Sequence, residues 1–129
     1  MADTSDQECA WLTTLRSDGS PHTTPVWFVV HRHAIWIGSA ATNVKVRNLA
    51  ADSRVSVAID GSGFTPQVAQ GRARIHRDLA TFPDVLSLFA RKYRGWDVAD
   101  EATDGERVLL QISVDRWLLG SEPQVRSDS

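Results

Sequence analysis

The segment His22-Thr23-Thr24-Pro25-Val26-Trp27-Phe28-Val29-Val30-His31 decides how the chain is read. Its β-branched and aromatic content predicts a strand, and Ser17-Asp18-Gly19-Ser20 before it is a turn with Asp-Gly at its centre. With Trp11-Leu12-Thr13-Thr14-Leu15 on the other side of that turn, residues 11–31 read as a β-hairpin. Pro25 has no N–H to give to a ladder and marks an edge position or a bulge. From Val26 to Val30 the strand is apolar on both faces, where an antiparallel strand with one wet face alternates. The second face needs a cover, and a second copy of the chain is the expected one.

Working outward, Arg32-His33 turns the chain into a third strand at 34–38. A fourth strand at 54–60 places Val55, Val57 and Ile59 on one face, and Gly61-Ser62-Gly63 is a loop. The fifth strand, 68–75, contains Gly71, which permits close approach by a ligand or by another backbone. A helix from about Leu79 to Arg94 gathers Phe82, Val85, Leu86, Phe89 and Tyr93 on one face, with Pro83 near its start and Gly95 past its end. Residues 96–105 read as a polar, acidic loop, Arg107–Val114 as the last strand, and the tail from Ser121 as polar. Six strands with one short and one longer helix make a mainly β single domain, 1–129, whose ordered core is about 10–120. A small antiparallel barrel with helices at its side satisfies this pattern best.

Composition narrows the function classes. With 129 residues, 42% hydrophobic content and a net charge of −2, the chain reads as one soluble globular domain. No apolar run approaches the ~20 residues a membrane span needs. The N-terminal Met1-Ala2-Asp3-Thr4-Ser5-Asp6 is acidic where a signal peptide is basic, so a cytoplasmic protein without membrane partners is expected. The single cysteine, Cys9, leaves no internal disulfide and no multi-cysteine metal site. Five tryptophans invite a nucleic-acid reading, but a slightly acidic chain with no basic stripe argues against it.

The chemistry-bearing stretch is Gly38-Ser39-Ala40-Ala41-Thr42-Asn43-Val44-Lys45-Val46-Arg47-Asn48-Leu49. If Thr42 caps a short helix reaching about Ala51, Lys45 and Arg47 lie near its N-terminal end with no acid before Asp52. Cations are unfavourable there, by roughly 0.3–1 kcal/mol each. The arrangement makes sense if an anion such as phosphate sits among backbone N–H groups, the Ser39 and Thr42 hydroxyls and the Lys45 ammonium. Solvated surface cations are the competing reading, and no Gly-rich phosphate fingerprint decides between them.

The hairpin residues Asp18-Gly19-Ser20-Pro21-His22 and Thr24-Pro25-Val26-Trp27-Phe28, the segment Lys45-Val46-Arg47-Asn48-Leu49 and Arg54-Val55-Ser56 together resemble the pyridoxamine 5′-phosphate oxidase-like split-barrel family. The resemblance is nearest to the actinobacterial flavin/deazaflavin oxidoreductases that use coenzyme F420, and it spans about residues 10–120. It implies a six-stranded antiparallel split β-barrel of the FMN-binding type and a homodimer with the cofactor at the subunit interface. It also implies hydride transfer between reduced F420 and a small unsaturated organic substrate, with FMN as the alternative cofactor. A non-catalytic flavin-, deazaflavin- or haem-binding module is the alternative activity.

Carried over residue by residue, the resemblance implies phosphate contacts at Ser39, Thr42, Asn43 and Lys45. Pro25, Val26, Trp27 and Phe28 then run along the ring system, and Arg47 and Asn48 are tail or supporting contacts. Gln70 and Gly71, with Trp117 from the partner subunit, close the pocket. The long anionic tail of F420 needs a basic groove, which Arg47, Arg54, Arg72 and Arg74 are placed to line. This chain lacks the C-terminal basic equipment of pyridoxamine-phosphate oxidases proper, so that particular activity is not expected.

No catalytic acid or base is singled out. His22, His76 and Tyr93 are available as proton donors, but nothing in their spacing selects one. His31 and His33 form only a minimal metal pattern at a hairpin tip, and no metal is expected. Ser17, Asp18 and His22 have the letters of a hydrolytic triad without its geometry.

Overall fold

The computed structural model describes residues 8–59 and 66–123. Seven strands form one antiparallel sheet: β1 (Ala10–Leu15), β2 (Pro21–Val26), β3 (Phe28–His31), β4 (Ala34–Ala40), β5 (Arg54–Ile59), β6 (Gln67–His76) and β7 (Arg107–Leu119). Helix α1 (Val44–Ala51) follows β4. Helix α2 (Pro83–Lys92), preceded by a 3₁₀ turn at Leu79–Thr81, lies between β6 and β7. The order across the sheet is β2-β1-β5-β6-β7-β4-β3.

β2 and β3 are therefore the two edges of the sheet, yet only Trp27 separates them in the chain. Residues 26 and 28 lie within about 7 Å of each other by chain geometry, so the two edges must meet. The sheet curls into the split barrel that the sequence implies, and the single strand expected at 22–31 becomes two. The count rises from six strands to seven for that reason.

At the break, the C-terminal end of α2 supplies the hydrogen bonds that a neighbouring strand would give. The Phe28 N–H donates to the Tyr93 hydroxyl (2.9 Å) and the Phe28 carbonyl accepts from Lys92 Nζ (2.9 Å). The Tyr93 proton reaches the carbonyl of Glu8 (2.7 Å) or of Phe28 (3.0 Å).

Two cores sit on opposite faces of the sheet. Inside the barrel, Leu12, Phe28, Ile37, Val57, Ile59 and Ile112 pack together, with Val46 and Leu49 of α1 closing one end. Outside it, Val29, Trp36 and Leu109 pack under Val85, Phe89 and Tyr93 of α2. The second face of the Val26–Val30 run is thus covered by α2 of the same chain, and the expectation that a second copy covers it is overturned. The covering face is the one the sequence assigns to the helix: Val85 and Phe89 are buried and Phe82 and Leu86 pack beside them.

Three element boundaries differ from expectation. The helix expected over residues 79–94 is broken before Pro83, which has no N–H to continue a preceding turn and instead opens α2. Its C-terminal side ends in two left-handed residues, Arg94 (φ 59°) and Gly95 (φ 87°). β7 runs to Leu119 because register shifts opposite Val68/Ala69 and Gln70/Gly71 let extra residues of β7 leave the ladder without ending it. Gly71 stands at the second shift, where a Cβ would collide with the Ser113 carbonyl, so it serves approach by a backbone. The expected loop at Gly61-Ser62-Gly63, the strand end at Asp60 and most of the polar tail lie outside the described residues. Among the described residues, no helix is long and apolar enough to cross a membrane.

Replacing Tyr93 with Phe leaves the Phe28 N–H buried without its acceptor. Tyr93→Phe is expected to lower unfolding free energy by about 1–3 kcal/mol, read from the midpoint of urea denaturation; an unchanged midpoint contradicts this account of the break.

Candidate functional site

A cleft of about 490 Å³ opens where the break at Trp27 meets the end of β4 and the start of α1. Pro25, Val26 and Trp27 form one side and Gly38, Ser39 and Ala40 the floor. Thr42, Asn43 and Lys45 come from the turn into α1, and Trp96, Asp104 and Arg107 from the segment leading into β7. Seven residues expected at the site from the sequence therefore converge: Pro25, Val26, Trp27, Ser39, Thr42, Asn43 and Lys45.

Asn43, not Thr42, caps α1: its side-chain oxygen accepts the Lys45 N–H at 3.3 Å. Both residue types cap well, and one position of register separates them. The first turn contains no acid, as the sequence implies. The Ser39 hydroxyl, 4% exposed, donates to the Ala40 carbonyl (3.0 Å), so its proton is directed at its own strand.

Lys45 is the decisive residue. It is only 8% exposed, and among the described residues its ammonium has no hydrogen-bond or ion-pair partner. Burial pushes its pKa below the ordinary lysine value, and the Arg107 guanidinium pushes it the same way. A buried cation beside a second cation, both near the start of a helix, is electrostatically incomplete. An anion placed among them completes it, and a phosphate fits the donor set.

Arg107 is a cleft residue that sequence reasoning missed. It opens β7 opposite Ala40, donates Nε–H to the Val98 carbonyl (3.0 Å) and Nη1–H to Asp104 (3.3 Å), and lies 5.7 Å from the Trp96 ring. Its burial depends on the 96–106 segment folding back across β4. That packing requires Gly38, since a Cβ there would run into the Val98 side chain. The one available signal was an arginine opening an apolar strand directly after an acidic loop.

Trp27, freed from the ladder, stacks flat on Tyr93 (4.4 Å, 4°) and meets the edge of Trp96 (5.0 Å, 88°). The two indoles give the cleft a rigid aromatic side.

The remaining expected residues lie elsewhere. Phe28 is fully buried in the barrel core and its backbone groups are taken by Tyr93 and Lys92, so it offers the cleft nothing. Asn48 faces inward and donates to the Thr14 hydroxyl (3.0 Å), and Arg47 is exposed outside the cleft. Arg54, Gln70 and Gly71 border a separate groove of about 450 Å³ with Arg72 and Arg116. Arg54 is held by Asp52 through bonds of 3.0 and 2.7 Å, and those bonds keep the Asp52 carboxyl at about 2. Trp117 packs against the barrel core. Of the proton donors considered, Tyr93 is committed to backbone groups and burial pushes its phenol up, while His76 pairs with Gln111 (2.8 Å). Neither of these nor His22 lines the cleft. Asp18 accepts from the Ser20 N–H and hydroxyl (2.9 and 2.6 Å), as a turn residue does.

A curled antiparallel sheet with flanking helices and a cleft at its seam defines the class: a split β-barrel. The family model "Pyridoxamine 5′-phosphate oxidase" matches residues 2–119, and the chain belongs to that family. It is 30% identical over 128 residues to an F420H(2)-dependent biliverdin reductase of Mycobacterium tuberculosis, covering 94% of this chain and 85% of the relative. Among solved structures, an F420 reductase superposes with a TM-score of 0.72 at 19% identity, covering 89% of this chain and 92% of that one. HutZ, the heme storage protein of Vibrio cholerae, superposes at 0.73 with 15% identity, covering 90% and 88%. At such identities these two superpositions bear on the fold alone.

Because the folded-state pKa of Lys45 is lowered, its charge costs stability at pH values below that pKa. The cost fades as pH rises through the folded value toward 10.5. Lys45→Met is therefore expected to raise stability by about 1 kcal/mol at pH 7, with the difference from wild type shrinking in alkaline buffer. Thermal melts across that range check it; a destabilised variant at neutral pH would show that Lys45 has a structural partner.

Proposed function

We propose that this protein is an F420-dependent oxidoreductase that works as a homodimer with its cofactor at the subunit interface. The observation that carries the reading is Lys45, a largely buried residue whose ammonium has no partner among the described residues and which lines, with Arg107, a cleft at the head of α1. The F420H(2)-dependent relative supports deazaflavin over FMN. When bound, reduced F420 supplies the hydride for an unsaturated bond of an organic substrate. The name of that relative makes a linear tetrapyrrole the first substrate to try.

The chain's own residues bind and orient. Lys45 and Arg107 hold the cofactor's phosphate, and Asn43 fixes the Lys45 backbone so that the side chain leaves the helix toward it. Pro25 and Trp27 present a stiff wall along which a planar ring aligns, and Trp96 limits its lateral movement. The accompanying proton arrives from solvent or from a nearby group.

The homodimer rests on a different observation from the one the sequence offered. Pro25, Trp11, Ala58, Val68 and Leu119 stand in one register row across β2, β1, β5, β6 and β7 on the outer face. Trp11 is 48% exposed and Leu119 52%. Since Pro25 also borders the cleft, a second copy laid on this row reaches the cofactor.

Titration with F420 and FMN in parallel, followed by tryptophan fluorescence, is expected to give micromolar or tighter binding of F420 and weaker binding of FMN. Multiple turnover with reduced F420 and biliverdin is then expected. Saturation without turnover on any acceptor would favour a binding module of the haem-storage kind. Lys45→Ala is expected to weaken F420 by about 1–3 kcal/mol, and unchanged affinity would sink the phosphate assignment. Trp11→Asp is expected to give monomers by light scattering with much reduced cofactor affinity; a persistent dimer that binds normally would rule out this row as the interface.

A further inference from the structure

Lys45 and Arg107 bring two positive charges to the cleft, and Asp104 is the one acid lining it among the described residues. The Asp104 carboxylate meets Arg107 Nη1 at 3.3 Å, longer than the ~2.7–2.9 Å of a well-formed charge-assisted bond. The two partners are unequally placed: the Arg107 side chain is 10% exposed, the Asp104 side chain 55%. Arg107 is fixed at depth by its Nε–H bond to the Val98 carbonyl and by Trp96, whereas Asp104 reaches in from the surface. A bond that is long, single and one-sided is easily exchanged.

We propose that Arg107 binds the ligand's anion and that Asp104 is an internal stand-in for that anion, displaced on binding, so that the Asp104–Arg107 contact lowers the affinity of the cleft for the anion it takes. The proposal rests on the reading of the cleft as a phosphate site. A phosphate has enough oxygens to engage Lys45 and Arg107 together, which Asp104 does not. Asp104 therefore lowers affinity for every anion that uses Arg107 by one common factor, set by how often the Asp104–Arg107 contact is open.

The test uses the full-length protein at low ionic strength, since exposed charges are screened by salt. Inorganic phosphate, acetate and F420 are each titrated into wild type, Asp104→Asn, Arg107→Gln and the double variant, by calorimetry. Asp104 is exposed, so its conservative variant folds. Asp104→Asn is expected to tighten phosphate, acetate and F420 alike, by roughly 3- to 10-fold. Arg107→Gln is expected to weaken phosphate and to abolish the effect of Asp104→Asn. Unchanged or weaker phosphate binding in Asp104→Asn, or a gain that persists in the double variant, overturns the proposal. The two readings fail separately. F420 binding with no response to Asp104→Asn removes the stand-in and leaves the cofactor reading intact. Phosphate binding with the expected response but no F420 or FMN binding keeps the stand-in and removes the cofactor.

Discussion

Barrel closure at a single residue is the constraint on which the rest of this structure depends. Val26 ends one edge of the sheet and Phe28 begins the other, so the edges are held together covalently through Trp27. Closure at so short a link leaves backbone groups that no strand can pair, and these must be satisfied some other way. Tyr93 and Lys92, at the end of α2, do so. The helix that covers the outer face thereby also determines how the seam is finished, and the seam is where the cleft opens. Trp27, expelled from the ladder, becomes the aromatic side of that cleft because Tyr93 beneath it is already fixed.

The second theme is a local conflict between folding and binding. Lys45 would fold more favourably as an apolar residue, since Val46 and Leu49 on the same helix are core. A chain optimised for stability alone would not bury an ammonium next to a guanidinium. Violations of local consistency of this kind are expected at functional or strained positions.

Much of the fold was legible because it is local. The hairpin turn at Asp18-Gly19, the alternation of Val55, Val57 and Ile59, and the apolar face of α2 are written in spacings of two to four residues. The break at Trp27 was not, because Pro25 announced an interruption without saying on which side of Val26 it falls. The length of β7 was hidden by Asp115 and Arg116, whose polar pair looks like a strand end and is in fact the bulged part of a continuing one. That Ser39, Thr42, Asn43 and Lys45 share one cleft could be read from residues 39–45, which lie together in sequence. Arg107 and Asp104 could not, since their place depends on the pairing of Ala40 with Arg107. Phe28 and Asn48 belonged to the right segments but point the wrong way, and which face a residue takes is decided by strand register and helix phase.

That same pairing of β4 with β7 has a consequence for how the protein is made. β4 and β6 both find a neighbour in β7, the last strand of the chain, and the cleft takes walls from residues 25–27, 38–45 and 96–107. A ribosome-bound chain that ends before β7 has the hairpins β1–β2 and β3–β4 and the ladder from β1 through β5 to β6, but two open strand edges and no cleft. Such edges are the ones that pair with other chains when left waiting. The cleft is thus complete only once the last strand is in place, when the open edges of β4 and β6 are closed as well.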